Sequence, residues 1–333
     1  MDSQSYVSYQ PPAPPQAESD RRQRKRDRAL LGRIGLALFI YLVFVDLVQY
    51  AAIYLARDYF PQVLATQWFR VVLTIVPSYL MSIPLIWGLL WGLPKKAPER
   101  AKLGAGGWFT FLATAYFGIM AGNYVGNHLM TAIESIRGTE IPNGVAQSIA
   151  TSPTAVTLLL MVIAAPIAEE LIFRKLVMDR LLPYSEKLAV LAGALFFGLV
   201  HGNFYQFFYA FLVGLIFGYV YVKTGNVLHT ILMHMLLNFT GSVIADFIGN
   251  KITVSDASIN HWNVIAELYS LSMLLLAICG MILFIIKLTR LNLSSEGERQ
   301  LSFKRQSLLL WSAVGTLLLI LLCAYRFADN LFI

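Results

Sequence analysis

Charged side chains are scarce in this chain. Asp, Glu, Lys and Arg make up 14% of its 333 residues, where a soluble domain carries about 25%. Cysteine is nearly missing: Cys279 and Cys323 stand far apart, with no CxxC and no Cys/His cluster, and both fall in apolar runs. They read as small buried hydrophobes, so no disulfide is expected. Also missing are an HExxH pair, a Gly-rich loop that could cradle phosphates, and a soluble domain between the apolar stretches. No repeat with a period of about 20 to 50 residues is present either. Any chemistry must therefore take place in or at a membrane.

What the chain has in excess is apolar surface. Hydrophobic residues reach 57%, and the mean hydropathy is +0.62, which points to lipid as the solvent. Crossing a hydrocarbon core takes about 20 apolar residues. Nine such windows lie near 34–56, 71–93, 107–133, 154–173, 187–203, 205–222, 226–248, 263–286 and 307–325. The fifth and sixth are short and share a weak break at Gly202 and Asn203. The expected fold class is all-α, a polytopic transmembrane helix bundle of eight to nine spans.

Lys and Arg near the membrane set the orientation. With a cytoplasmic N-terminus, nine spans place 21 of the 26 Lys and Arg on the cytoplasmic side and leave Arg57, Arg70, Arg137, Lys251 and Arg326 outside. Dropping one span reverses every later loop and spoils this bias, so the C-terminus is expected outside. Residues 1–33 are expected to form a Pro-rich disordered tail, including YVSYQPPAPPQAESD, followed by the basic run RRQRKR at 21–26. Such a run before a first span fits topology and anionic lipid, and no nucleic-acid partner is expected. Residues 34–150 and 249–333 form flanking groups of transmembrane helices around a core at 151–248.

That core carries the charges that lipid disfavours. Residues 164–177, AAPIAEELIFRKLV, place Glu169, Glu170 and Arg174 at the end of an apolar run, where an ionisable side chain usually faces the bundle interior and serves a function. Glu170 and Arg174 are i, i+4 with the acid first, the better order for an ion pair. Glu169 lies about 100° away around the helix, free for other work. Pro166, one turn earlier, removes a helical hydrogen bond and allows a kink. FGLVH puts Phe197 and His201 on one helix face, and HMLLN does the same for His234 and Asn238. His128 and His261 look peripheral. A helical hairpin turning near Tyr184 brings residue 169 level with about residue 199, so Glu169 and His201 can face each other.

Carboxylate, two imidazoles and an amide are the parts of a hydrolytic site. A carboxylate and an imidazole can activate water, and a second imidazole with an amide can hold an oxyanion. Either glutamate fits the base by spacing. A zinc site of His201, His234 and one glutamate has enough ligands, but Arg174 beside the acids opposes a cation, so no cofactor is expected and zinc is not favoured. A transporter would use buried Glu, Arg and His to relay protons, but the polar groups gather in one stretch without the repeats transporters often show.

The ordered motifs EELIFR, FGLVH and HMLLN resemble those of the type II CAAX prenyl endopeptidase and bacteriocin-processing (CPBP, or Abi) family. The resemblance spans about 155–245. It implies an intramembrane glutamic-type endopeptidase with a cavity open toward cytosol and lipid. Carried over, it implies that Glu169 and His201 activate water, Glu170 pairs with Arg174, and His234 and Asn238 form the oxyanion hole. It implies a peptide or lipidated protein substrate, membrane lipids as surroundings, and a multi-pass protein of a bacterial cell membrane. It also leaves open a non-proteolytic role as a bacteriocin-immunity factor or a scaffold for a membrane sensor. The sequence is silent on oligomeric state.

Overall fold

The computed structural model describes residues 16–251, 261–289 and 291–332, and among them there is no strand. The helices that carry the argument are α1 (Gln16–Tyr59), α2 (Gln67–Leu89), α3 (Ala105–Arg137), α4 (Gly144–Thr151), α5 (Thr154–Leu181), α6 (Glu186–Leu199), α7 (Phe204–Thr224), α8 (Val227–Gly249), α9 (His261–Leu288), α10 (Phe303–Trp311) and α11 (Val314–Phe332). Each of the nine apolar windows is mostly helical. Among the described residues seven helices are long and apolar enough to cross a membrane: α1, α2, α5, α7, α8, α9 and α11. α3 has the length but a more mixed composition, and α6 has only 14 residues.

Two boundaries differ from the sequence reading. α1 already begins at Gln16, so the basic run and residues 16–20 are helical, and Asp27 and Leu31 are buried. Residues 1–15 of the expected tail lie outside the described residues. The window at 307–325 is broken near Ser312 and Ala313, and the spanning helix runs instead from Val314 to Phe332. Arg326, expected in an outer flank, therefore lies within α11 and pairs with Asp46 of α1.

Lipid as solvent explains the surface. α9 leaves Leu268, Leu271, Leu275, Ile282, Ile285 and Ile286 exposed, a helix-long apolar face that hydrocarbon satisfies and water would not. Inside, one core joins α1, α5, α6, α10 and α11 around Leu31, Phe173, Phe196, Leu310 and Leu319. A second joins α3, α7 and α8 around Tyr116, Phe217 and Met233. α3 and α7 cross closely at Gly122, where a Cβ would stand 2.3 Å from the Tyr209 backbone.

The two ends of the bundle differ. At one end the basic loops tie to one another through backbone: Lys96 N–H donates to Asp179 O (2.7 Å), Ala101 N–H to Thr224 O (3.0 Å), Lys187 N–H to Ser294 O (3.0 Å) and Arg299 N–H to Pro183 O (3.3 Å). Gln306, fully buried, donates to the carbonyls of Tyr184, Ser295 and Leu301 and accepts from the Ser185 hydroxyl at 2.6 Å. The Tyr184 hydroxyl donates to Asp27 at 3.3 Å. Burial, and then the Asp27 carboxylate, push that phenol far above its ordinary range, so it remains a donor. At the opposite end Ile141 N–H donates to Glu134, and the Tyr205 hydroxyl lies 2.8 Å from Ile141 O and 3.1 Å from Glu134 Oε1. These contacts hold the loop that leads into α4.

Candidate active site

α5 is not a uniform helix. Residues Leu158–Ala164 and Leu171–Met178 are wound as wider π turns, and between them the short α segment Ala165–Glu170 presents both acids. Two further π segments occur, Val76–Met81 in α2 and Phe239–Ile244 in α8. Such segments gather at functional sites because they re-aim side chains and free backbone groups. One freed group is visible. Ala165 N–H bonds to Leu160 O, five residues back. The next donor in that register would be Pro166, which has no N–H, and Met161 O accepts a hydrogen bond from Asn238 Nδ2 at 2.7 Å.

The two glutamates diverge as their spacing suggests. Glu170 is fully buried and held by Arg174, Nε to Oε2 at 2.8 Å and Nη2 to Oε1 at 3.4 Å, with Arg174 fully buried too. Glu170 Oε1 also lies 3.3 Å from His234 Nδ1. The Glu169 side chain is 24% exposed, and its Oε2 stands 3.9 Å from His234 Nε2. His234 thus sits between the two acids.

His201 lies in the turn just after α6. Its Nδ1 lies 2.7 Å from Phe197 O, and since a carbonyl only accepts, Nδ1 carries a proton and, in the neutral ring, Nε2 is the acceptor. The chain reverses immediately afterwards at Gly202, whose φ of 67° is the left-handed conformation glycine adopts readily. Asn203 caps α7 by accepting from Gln206 N–H. Phe197 is the packing hub, with its ring edge-on to His201 (5.1 Å), His234 (6.1 Å) and Phe173 (5.1 Å), and under the Arg174 guanidinium (5.5 Å).

A cavity of about 400 Å³ joins these groups, and Glu169, His201, His234 and Asn238 all line it. Glu170 and Arg174 stand behind its wall. All six residues singled out in the sequence therefore fall in one neighbourhood. Sequence reasoning missed part of the lining: Tyr79, Asn123, Asn143, Tyr205, Gln206 and Tyr209. Three of them belong to the aromatic run FYQFFYAF at 204–211, whose amide and phenols among the aromatics were the available signal. Its phenylalanines do pack, Phe204 against Phe327 at 4.7 Å, while its tyrosines and glutamine face the cavity. Three other polar residues within apolar windows line no part of this cavity: Asp46 pairs with Arg326, Gln49 donates to Leu73 O, and Glu267 is exposed. Among the described residues no three His, Cys, Asp or Glu side chains are grouped to hold a metal ion.

Comparison with known proteins agrees with this neighbourhood. The family model described as Type II CAAX prenyl endopeptidase Rce1-like matches residues 151–240, a stretch that contains the three motifs and ends two residues beyond Asn238. No curated protein and no solved structure matches the chain significantly. Residues 151–240 of this integral membrane protein, which take in α5 to α7 and the first part of α8, are thus similar to the type II CAAX prenyl endopeptidases.

Proposed function

We propose that the protein is an intramembrane endopeptidase of the glutamic type, with Glu169 as the base. The observation that carries this choice is the unequal surroundings of the two acids. Glu170 is saturated by Arg174 and His234 and closed off from the cavity, while Glu169 faces it. A general base must reach the water it deprotonates.

In this reading Glu169 and the acceptor Nε2 of the neutral His201 ring hold the attacking water. Glu169 takes one proton as the water oxygen bonds to the scissile carbonyl carbon. The carbonyl oxygen becomes an oxyanion, and a proton returns to the amide nitrogen as the C–N bond breaks, leaving a carboxylate and an amine. Glu170, 3.3 Å from Nδ1 of His234, holds that ring with its Nε2 side toward the oxyanion. Asn238 offers its second amide hydrogen, since the first is used on Met161 O. Phe197 keeps His201 and Arg174 in place.

The substrate in this proposal is a peptide or a lipidated protein segment, with no resident cofactor. The test is cleavage of quenched-fluorescence peptides, lipidated and plain, by detergent-purified protein with and without a chelator. Chelator-resistant cleavage that is lost in Glu169→Gln and in His201→Ala supports the reading. Chelator-sensitive cleavage replaces it with a metal-dependent one. No cleavage across the panel, with a cellular role that survives Glu169→Gln, leaves the immunity or scaffold role.

A further inference from the structure

A second cavity, of about 380 Å³, lies beside the basic loops and shares no lining residue with the first. It is a groove among α3, α6, α7 and α9. Its origin is the way α9 sits on the bundle. α9 is pressed onto α3 at Gly280, where a Cβ would collide with the Ala113 carbonyl. Beyond that contact, toward its C-terminus, α9 faces α6 and α7 across the groove, with Phe284 on one wall and Leu191, Leu215 and Tyr219 on the other.

The walls suit a hydrocarbon chain. Apart from Lys187 and the Tyr219 hydroxyl, the polar group in the lining is the Thr114 hydroxyl, which is already spent on Thr110 O at 2.9 Å. A peptide entering here would leave most of its amides unpaired, which is costly away from water, whereas an acyl chain needs no partner. Leu191 and Leu291, both exposed, mark where the groove opens.

The rim suits an anion. Lys187 stands in the first turn of α6, Lys223 in the last turn of α7 and Lys287 in the last turn of α9. Lys223 is neutralised by Glu186 at 2.6 Å. Among the described residues Lys187 and Lys287 have no carboxylate within ion-pair reach. Each ammonium lies over a ring instead, Lys187 over Phe303 at 4.7 Å and Lys287 over Phe111 at 5.6 Å, and Phe111 itself lines the groove. Both lysines are half-buried. Cations at the water-facing ends of membrane helices, left without acids, attract the phosphates of anionic lipid.

We propose that this groove binds one anionic phospholipid of the bilayer, with an acyl chain between α9 and the α6–α7 hairpin and the headgroup phosphate at Lys187 and Lys287. The lipid completes the packing of α9 against the hairpin that carries His201 beyond α6. The proposal rests on the groove and its rim and is independent of the peptidase reading.

The test uses the full-length protein, purified and delipidated in a neutral detergent. It is titrated with phosphatidylglycerol or with phosphatidylcholine of the same acyl chains, and bound lipid is counted by native mass spectrometry. A lysine near an anionic headgroup is worth about fivefold in affinity, so the two together should favour phosphatidylglycerol by about 25-fold. Lys187→Gln with Lys287→Gln should abolish that preference. Arg24→Gln with Lys25→Gln, an equal change of charge at exposed positions of α1, should keep it. Phosphatidylglycerol should also raise the unfolding temperature of the parent, because a ligand of the folded state stabilises it, and leave that of the paired lysine variant unmoved. Equal affinity for the two lipids overturns the proposal. So does a preference lost equally in the α1 variant, which would assign the effect to overall surface charge. Leu215→Trp, which fills the groove and keeps both lysines, should lose the tight lipid; retention of the full preference in that variant contradicts the site even if the lysine variant fails to fold.

Discussion

The basic end of the bundle and the cavity end use polar groups in opposite ways. At the basic end Gln306 satisfies three carbonyls and a hydroxyl, Asp27 meets Tyr184 and Arg299, and loop backbones bond to one another. Every such group is closed into a structural network. At the cavity end π turns widen α2, α5 and α8, α6 stops short, and Glu169 and the Nε2 of His201 face open space. Polar groups are costly to bury without partners, so one end holds the helices together and the other keeps its polar groups available for a substrate. Glu170 and Arg174 lie on the border, a buried charge pair that shapes the site without facing it.

The largest effect that would sharpen this contrast is on chemistry alone. Glu169→Gln and His201→Ala should each lower peptide cleavage by about 10²–10⁴-fold, the usual span for general acid–base groups, with thermal unfolding hardly moved. A large loss of stability in either variant would break the division between the ends.

Next in size is the border pair. Arg174→Ala leaves Glu170 buried and uncompensated, and should cost about 3–5 kcal/mol of stability, read as lower folded yield and an earlier unfolding transition. Replacing both Arg174 and Glu170 by Met should recover much of that stability. Cleavage should stay low because His234 loses the carboxylate at its Nδ1.

A smaller change belongs to the basic end. Gln306→Ala leaves buried carbonyls unsatisfied and should cost about 1–3 kcal/mol. Thermal unfolding should report it, with the cleavage rate per folded molecule unchanged.

The smallest is Tyr205→Phe, which removes the hydroxyl near Ile141 O and Glu134. About 0.5–1.5 kcal/mol is at stake. It should appear as a change in KM rather than kcat, because the loop into α4 loosens at the cavity mouth while the reacting groups stay in place.

Much of this was legible in the sequence because lipid makes it so. Long apolar runs must become helices when no water is present to satisfy the backbone, and most of each window did, with a break inside 307–325. A charge in such a run must find a partner, so Glu170 with Arg174 could be read from i, i+4 spacing alone. The turn at Tyr184 fixed the register that brings Glu169 and His201 to one cavity. The π turns were not legible, because a wider helical turn depends on neighbours and carries no residue code beyond a nearby proline such as Pro166 or Pro77. Nor was α4, which is too short and too mixed for a hydropathy window. The break at Ser312 and Ala313 escaped because hydropathy runs through it unchanged. Its cause is tertiary: α11 crosses α1 where a Cβ on Gly315 would stand 2.1 Å from Gly32 O.

The most direct test of the account is a matched pair of variants, Glu169→Gln at the cavity and Gln306→Ala at the basic end, assayed together for peptide cleavage per folded molecule and for thermal unfolding. The account predicts a crossed result: Glu169→Gln loses cleavage and keeps its unfolding temperature, and Gln306→Ala keeps cleavage and unfolds earlier. Cleavage by Glu169→Gln at the parent rate would contradict it.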